Sequence, residues 1–232
     1  MIVMITSKNN SRSLILDVIR GFTIILMFFF HFCFDLNNFG IIHVDIINGK
    51  FWYLLPRIIV FLFLFAVGIS LKLVHGIHIN WFSFIKRFLK IFLCALGISL
   101  VTYFLFPDHW IYFGTLHAIA LISLFSLPFL KHPKICLIAS FSLFIPSIFF
   151  DYNLPWFSLP HQSWDYISPF PWIGASLLGI FAAHHKVHNL ILPVNKITTM
   201  LSFLGKHSLV IYLIHQPIFF SLTYSLYWFL NH

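Results

Sequence analysis

Four ionisable side chains lie on or just beyond the first long apolar segment, residues 13–34, which contains Asp17, Arg20 and His31 and is followed by Asp35. At about 100° per residue, Asp17, His31 and Asp35 fall on nearly one azimuth of a helix. Arg20 lies within about a sixth of a turn of that azimuth. Ionisable groups at membrane depth need partners. We therefore expect this stripe to face the protein interior or a water-filled cavity.

His31 and Asp35 are four residues apart, so they share a helix face and can touch directly or through water. An aspartate beside an imidazole fixes the tautomer of the ring and raises its basicity. This pair has the composition of a general base near the outer face of a membrane. The alternative is that His31 is a buried histidine whose hydrogen bonds are satisfied by a neighbouring helix.

Asp17 and Arg20 are three residues apart at the other end of the same segment. We expect an ion pair there, within the helix or between helices, with a structural role that supports the site. Gly21 follows directly and allows another helix to approach closely.

Arg57 stands at the start of the second apolar segment, at the same expected outer level as His31 and Asp35. Three roles are open to it. It can neutralise Asp35, anchor the helix to lipid headgroups, or polarise a carbonyl group in a reaction.

The closing apolar segment carries Ser208, Tyr212 and His215, which fall on one side of a helix. Pro217 lacks a backbone N–H, so it kinks that helix and frees a carbonyl group near His215. We expect Ser208 and Tyr212 to support a site that includes His215.

His117 lies in a third apolar segment, about two turns below the expected outer surface. A single intramembrane histidine often only packs, but His31, His117 and His215 come from three separate segments. We therefore expect these three imidazoles to share an interior site. Their spacing is not that of metal ligands, so no metal is expected.

The composition identifies the class of protein. The 232 residues are 60% hydrophobic, 20% aromatic and only 9% charged, with a mean hydropathy of +0.93. Such values indicate an integral membrane protein in contact with a lipid bilayer. Basic residues are scattered over several loops, which argues against nucleic-acid binding. We predict one transmembrane domain over residues 1–232.

Windows of about twenty apolar residues predict an all-α, polytopic transmembrane helix bundle of about seven spans. The predicted spans are residues 13–34, 53–74, 88–106, 111–130, 135–150, 170–184 and 207–229. A cytoplasmic N-terminus follows the positive-inside rule, because only Lys50 and Arg57 then fall outside. The cytoplasmic set is Lys8, Arg12, Lys72, Lys86, Arg87, Lys90, Lys131, Lys134, Lys186, Lys196 and Lys206.

The longest outer segment, residues 151–169, contains Trp156, Trp164 and Tyr166 together with His161 and Asp165. Aromatic residues at this level are typical of an interfacial belt. They also suit a lid or a sugar-stacking surface over a pocket that opens outward.

An ordered set of motifs resembles the catalytic-domain family of heparan-alpha-glucosaminide N-acetyltransferase. The first is the segment of residues 12–21, which contains a D-x-x-R-G pattern at residues 17–21 and is followed by an apolar run to His31 and then Asp35. The others are residues 61–70 after Arg57, residues 112–117, and residues 205–217.

The resemblance implies that an acetyl group passes from cytosolic acetyl-CoA, through the bundle, to an amine or hydroxyl of a glycan or amino sugar on the far side. It also implies a catalytic histidine on the non-cytoplasmic side, a role that we assign to His31. A Phe-rich and Lys-biased chain without a eukaryotic sorting signal also suggests a bacterial inner membrane.

The resulting hypothesis is an acetyl-CoA-dependent N- or O-acetyltransferase. His31, oriented by Asp35, deprotonates the acceptor or itself accepts the acetyl group. The phosphates of CoA are attracted by Lys72, Lys86, Arg87 and Lys90. The oxyanion is stabilised by one or more of Arg57, His117, Tyr212 and His215.

Two other classes fit the same residues. Intramembrane histidines and aspartates also serve proton relays, so a proton-coupled small-solute transporter is an alternative. A non-catalytic membrane protein is the other. The sequence carries no indication of an oligomeric state.

Overall fold

The computed structural model describes residues 13–46 and 49–231, and every regular element within them is a helix. The predicted all-helical fold is confirmed for these residues. Lys8 and Arg12, which contribute to the predicted orientation, lie outside the described residues.

Eight α-helices follow one another along this part of the chain. They are α1 (Leu14–Asn38), α2 (Lys50–His75), α3 (Trp81–Leu105), α4 (Thr115–Phe125), α5 (Pro133–Phe149), α6 (Pro169–His184), α7 (Lys196–Lys206) and α8 (Ser208–Asn231). Single 3₁₀ turns follow α4 and α6, at Leu127–Phe129 and Val187–Asn189.

Among the described residues, four helices are long and apolar enough to cross a membrane, namely α1, α2, α3 and α8. The fourth, fifth and sixth predicted spans correspond to shorter helices of 11, 17 and 16 residues. Part of the apolar segment 111–130 is not α-helix, because α4 begins at Thr115 and a 3₁₀ turn follows it. The total of seven spans stays a prediction.

Helix α7 was not predicted, because the sequence interpretation left Lys196 and Lys206 in a loop. Its start is fixed by a reciprocal cap between Asn195 and Thr198. The Asn195 side chain accepts from the Thr198 N–H at 2.9 Å, and the Thr198 hydroxyl oxygen accepts from the Asn195 N–H at 2.9 Å. The usual capping box carries Glu or Gln at the second position, so this variant is easily overlooked.

Helix α7 packs directly on α1 at two glycines. A Cβ atom on Gly21 would collide with the backbone of Leu201, and a Cβ atom on Gly205 would collide with the backbone of Asp17. The close approach expected at Gly21 is therefore made to a short helix that the sequence interpretation had treated as a loop.

Helix α2 is the best buried of the long helices and packs against α1, α4 and α6. Its contact with α6 is close because two glycines face backbone atoms. Gly68 lies against the carbonyl oxygen of Ser176, and Gly179 lies against that of Phe65. The fully buried apolar side chains around this contact include Leu64, Ile69, Ile122, Leu177 and Ile180.

Most of the basic residues gather at one end of the helices, which we call the basic end. There the Lys72 ammonium and the His184 ring both bind the Leu130 carbonyl oxygen, at 3.0 and 2.9 Å. The Ser13 hydroxyl donates to the His188 carbonyl at 3.0 Å, which ties the start of α1 to the same end.

We expect Gly68→Ala to destabilise the protein, because the new methyl group would force α2 away from the α6 backbone. Overpacking of this kind costs about 1–3 kcal/mol. Gly97 in α3 is the matched control, since a Cβ atom there meets open space. Thermal unfolding in detergent should show a lower Tm for Gly68→Ala than for Gly97→Ala. Equal values would show that the α2–α6 contact is not close.

Candidate functional site

His31 of α1 and His215 of α8 lie against each other, with ring centroids 4.8 Å apart. His215 is buried, and its Nδ1 lies 2.7 Å from the Tyr212 carbonyl oxygen. A carbonyl oxygen only accepts, so Nδ1 carries the hydrogen and Nε2 keeps a free lone pair. That Nε2 atom is buried and has no hydrogen-bond partner in the described part of the chain. It is therefore a base available to an incoming group.

Asp35 is paired across the same helix contact, with Gln216. The Gln216 Nε2 group lies 3.0 and 3.2 Å from the two oxygens of the buried Asp35 carboxylate. Asp35 is predicted to orient His31, but in the structure its carboxylate accepts from the Gln216 amide. One amide nitrogen thus serves both carboxylate oxygens, a contact between helices that spacing along α1 does not predict.

The Gln216 Oε1 atom is also buried and, within residues 13–46 and 49–231, lacks a hydrogen-bond partner. The amide orientation is set by charge, because a flipped amide would place its oxygen against a carboxylate. We call His31, Asp35, His215 and Gln216 the α1–α8 polar cluster. Two buried acceptors without donors need an explanation, and an incoming N–H or O–H group supplies one.

The α1–α8 polar cluster is surrounded by aromatic rings. Phe28 stacks on His215 with ring centroids 6.0 Å apart, and the Phe219 ring lies 6.1 Å from His215 at a steep angle. Such an apolar surrounding strengthens electrostatic interactions and hydrogen bonds inside it.

The hydrogen bonds of His117 are made to Gly114 and to Ser99 of α3. Its Nδ1 accepts from the Gly114 N–H at 3.1 Å, and its Nε2 lies 3.2 Å from the Ser99 hydroxyl. That hydroxyl donates to the Ile111 carbonyl at 2.6 Å, so Nε2–H is the donor to Ser99. The structure thus brings together His31 and His215, and it uses His117 to fix the start of α4.

Arg57 is exposed and folds back onto its own helix. Its guanidinium donates to the Tyr53 carbonyl at 2.6 Å and stacks 3.4 Å above the Tyr53 ring. These contacts hold it on α2. At the basic end, Arg20 lies 4.0 Å from Asp17, which is almost fully buried.

A cavity of about 920 Å³ opens among helices α1, α2, α3, α4 and α8. Four cations line it at the basic end, namely Arg20, Arg87, Lys90 and Lys206. Its other walls are largely apolar and include Phe63, Val67, Leu116, Ile119, Leu209 and Tyr212, with Ser208 beside them. Its size is within the usual range for small-molecule sites.

Two of the four predicted phosphate-binding cations, Arg87 and Lys90, line this cavity. Lys72 instead donates to the Leu130 carbonyl, and Lys86 is exposed and not part of the lining. Arg20 and Lys206 were not assigned to phosphate binding, because they come from the two ends of the chain and only the fold places them together.

Tyr212 lines the cavity and also contacts the outer segment. Its hydroxyl donates to Asp165 Oδ2 at 3.4 Å. The same carboxylate accepts from the Thr115 N–H at 2.8 Å and from the Thr115 hydroxyl at 3.2 Å, so it caps the start of α4. Burial raises the pKa of Asp165, while these hydrogen bonds favour its charged form.

Sequence reasoning assigned no site role to Asp165 or Gln216. Asp165 was one polar residue among the aromatic side chains of the outer segment, and Gln216 was only part of a motif. Trp164 N–H donates to the His109 carbonyl at 3.2 Å, and Ile167 N–H to the Phe113 carbonyl at 3.0 Å. These bonds fix the outer segment against the residues before α4 and so place Asp165.

Residues 13–46 and 49–231 contain no group of three or more His, Cys, Asp or Glu side chains arranged to hold a metal ion.

The sequence model of the family described as "Heparan-alpha-glucosaminide N-acetyltransferase, catalytic" matches residues 12–217. The match includes all four residues of the α1–α8 polar cluster and all those that line the cavity. Comparison with curated proteins and with solved structures gave no match. The resemblance predicted from the motifs is confirmed. The chain belongs to the heparan-alpha-glucosaminide N-acetyltransferase catalytic-domain family.

Proposed function

We propose that this chain is a membrane acetyltransferase that uses acetyl-CoA and acetylates an amine or hydroxyl of a glycan or amino sugar. The observation that carries the proposal is the cavity. It begins at four cations and ends at Tyr212, whose ring centroid lies 5.6 Å from that of His215. A donor bound from the basic end would thus bring its acyl group toward a free imidazole nitrogen.

The lining of the cavity at the basic end matches the chemistry of acetyl-CoA, the proposed acetyl donor. Arg20, Arg87, Lys90 and Lys206 would bind the phosphates of CoA, since charge-assisted hydrogen bonds to phosphate are strong. The apolar walls would hold the pantetheine arm. Lys86 and Lys72, which we also expected to bind phosphate, make no contribution to the lining.

The α1–α8 polar cluster would provide the proton transfer. In direct transfer, His215 or His31 takes a proton from the acceptor as its nitrogen or oxygen attacks the thioester carbonyl carbon. The C–S bond then breaks, and the CoA thiolate takes up a proton. In the alternative route, a histidine nitrogen attacks first and an acetyl-histidine passes the acetyl group to the acceptor.

Of the four groups expected to stabilise the oxyanion, Tyr212 alone lines the cavity. His117 has both ring nitrogens satisfied, Arg57 is held on α2, and His215 presents a lone pair toward the α1–α8 polar cluster. We therefore assign the oxyanion role to Tyr212 in preference to the other three, with its hydroxyl proton turning from Asp165 to the oxyanion during transfer.

The proposed topology follows from charge. With the basic end in the cytoplasm, the positive-inside rule is met and the donor cavity opens toward cytosolic acetyl-CoA. The α1–α8 polar cluster then lies toward the outer face, where the acceptor binds. We propose one transmembrane domain of about seven spans in a bacterial inner membrane.

We expect His31→Ala and His215→Ala each to lower the rate of acetyl transfer at least 100-fold, the lower range for loss of a general base. CoA binding should be retained, because neither residue lines the cavity. The assay uses purified protein in detergent, labelled acetyl-CoA and a panel of amino sugars. His43→Ala, at an exposed histidine, is the control.

Wild-type protein that binds CoA but transfers nothing, or histidine variants that retain full activity, would contradict the catalytic assignment. Labelled acetyl on wild-type protein without acceptor would support the acetyl-histidine route. An obligatory ternary complex would exclude that route.

We expect the double variant Arg87→Gln/Lys90→Gln to weaken CoA binding by on the order of tenfold or more, since a hydrogen bond to a charged group contributes about 1.5–3 kcal/mol. Lys86→Gln is the matched control, because it removes one positive charge from the same helix outside the cavity. Calorimetric titration with CoA measures the difference. Equal weakening by both would mean that the cations act only through general attraction.

A further inference from the structure

Tyr212 separates the cavity from the α1–α8 polar cluster. Its side chain lines the cavity beside Phe63, whose ring centroid lies 6.4 Å away, whereas no member of the α1–α8 polar cluster is part of the lining. On the other side, Tyr212 contacts His215 twice. The two rings are 5.6 Å apart, and the Tyr212 carbonyl binds His215 Nδ1. Tyr212 is thus a cavity-lining residue that also contacts the histidine pair.

Asp165 holds Tyr212 in position from the outer segment, at the end of the helices away from the basic end. One carboxylate binds the Tyr212 hydroxyl and, through two stronger contacts, the first residue of α4, Thr115. Helix α4 itself forms another wall of the cavity, with Leu116 and Ile119. Asp165 therefore joins two walls of the cavity, and it reaches both of them from a loop outside the helices.

Two features of the structure hold the Asp165 carboxylate in place. The N-terminal end of α4 carries partial positive charge, which favours an anion there. The outer segment is fixed to the residues before α4 by two backbone hydrogen bonds. Asp165 is thus held by several contacts. Tyr212, in contrast, lies on α8, a helix that is mostly exposed and so has fewer contacts of its own.

We infer that Asp165 is a positioning residue that holds Tyr212 across the inner end of the cavity, so that the cavity is closed to the outer side when no acceptor is bound. The closure has a chemical purpose that rests on the proposed function. A thioester that met water from the outer side would be hydrolysed: water attacks the carbonyl carbon, the C–S bond breaks, and acetate and CoA thiol form.

The closure is tested by labelling a cysteine in the cavity wall. Leu209→Cys is placed in a chain whose Cys33, Cys94 and Cys136 are replaced by serine, and a membrane-impermeant maleimide is added to either side of sealed vesicles. We expect labelling from one side only. Adding Tyr212→Phe, or Asp165→Ala, should speed labelling from the other side at least fivefold. Ser158→Ala, at an exposed residue of the same outer segment, should not.

The chemical consequence is tested by acetyl-CoA hydrolysis without acceptor. Asp165→Ala should raise this rate several-fold, because it releases Tyr212 from the outer segment and leaves the Tyr212 hydroxyl in place. An effect of Asp165→Ala on Tm alone, with labelling and hydrolysis unchanged, would make Asp165 only a cap of α4 and overturn the inference.

The two proposals fail in different ways. If wild-type protein neither transfers acetyl groups nor binds CoA, the proposed function is wrong, but the labelling experiment still decides whether Tyr212 closes the cavity. If transfer occurs and the cavity cysteine is labelled from both sides of wild-type protein, the closure is wrong and the proposed function stands.

Discussion

A polar side chain buried among membrane-spanning helices needs a partner, and the contact between α1 and α8 is where this chain meets that requirement. Both oxygens of Asp35 accept from the Gln216 amide nitrogen, and the His215 ring is fixed by a carbonyl of its own helix. His215 Nε2 and Gln216 Oε1 remain as buried acceptors without a donor among the described residues. Because these acceptors lack donors, the site favours an incoming group that carries N–H or O–H.

The proposed binding sites for acetyl-CoA and for the group that receives the acetyl lie at opposite ends of one path through the protein. Cations from α1, α3 and the end of α7 converge on the cavity at the basic end, although they lie far apart in sequence. Apolar side chains of α2, α4 and α8 line the interior. The route ends at Tyr212, whose backbone orients His215 and whose hydroxyl is held by Asp165. One residue therefore connects the binding cavity, the histidine pair and the outer segment.

Local periodicity accounts for much of what could be predicted. The helical stripe on α1 identified His31 and Asp35 as inward-facing, and the family resemblance followed from motifs spread along the chain. Partners across helices were not predictable in the same way. The sequence placed Asp35 with His31 because four residues separate them, whereas the fold supplies a better donor in Gln216, 181 residues away. His117 was grouped with the other histidines by depth alone, and its hydrogen bonds show a separate role.

Charge and hydropathy alone did not predict the contacts of Lys72 or the existence of helix α7. Lys72 was counted with the phosphate-binding cations, but it is engaged by the carbonyl of Leu130. Helix α7 was overlooked because a short amphipathic helix between basic residues resembles a loop. Its close packing on α1 depends on Gly205, whose importance becomes visible only when the Asp17 backbone is placed against it.

In the proposed function, an acetyl group crosses the helix bundle while CoA stays on the side of the basic end. Protein reconstituted in one orientation into sealed vesicles can be given labelled acetyl-CoA on the side of the basic end and an amino sugar on the other side. We expect labelled acetylated sugar in the compartment that never received acetyl-CoA, with CoA released where the donor was added. Movement of the unmodified sugar across the membrane, with acetyl-CoA intact, would contradict acetyl transfer and identify a transporter instead.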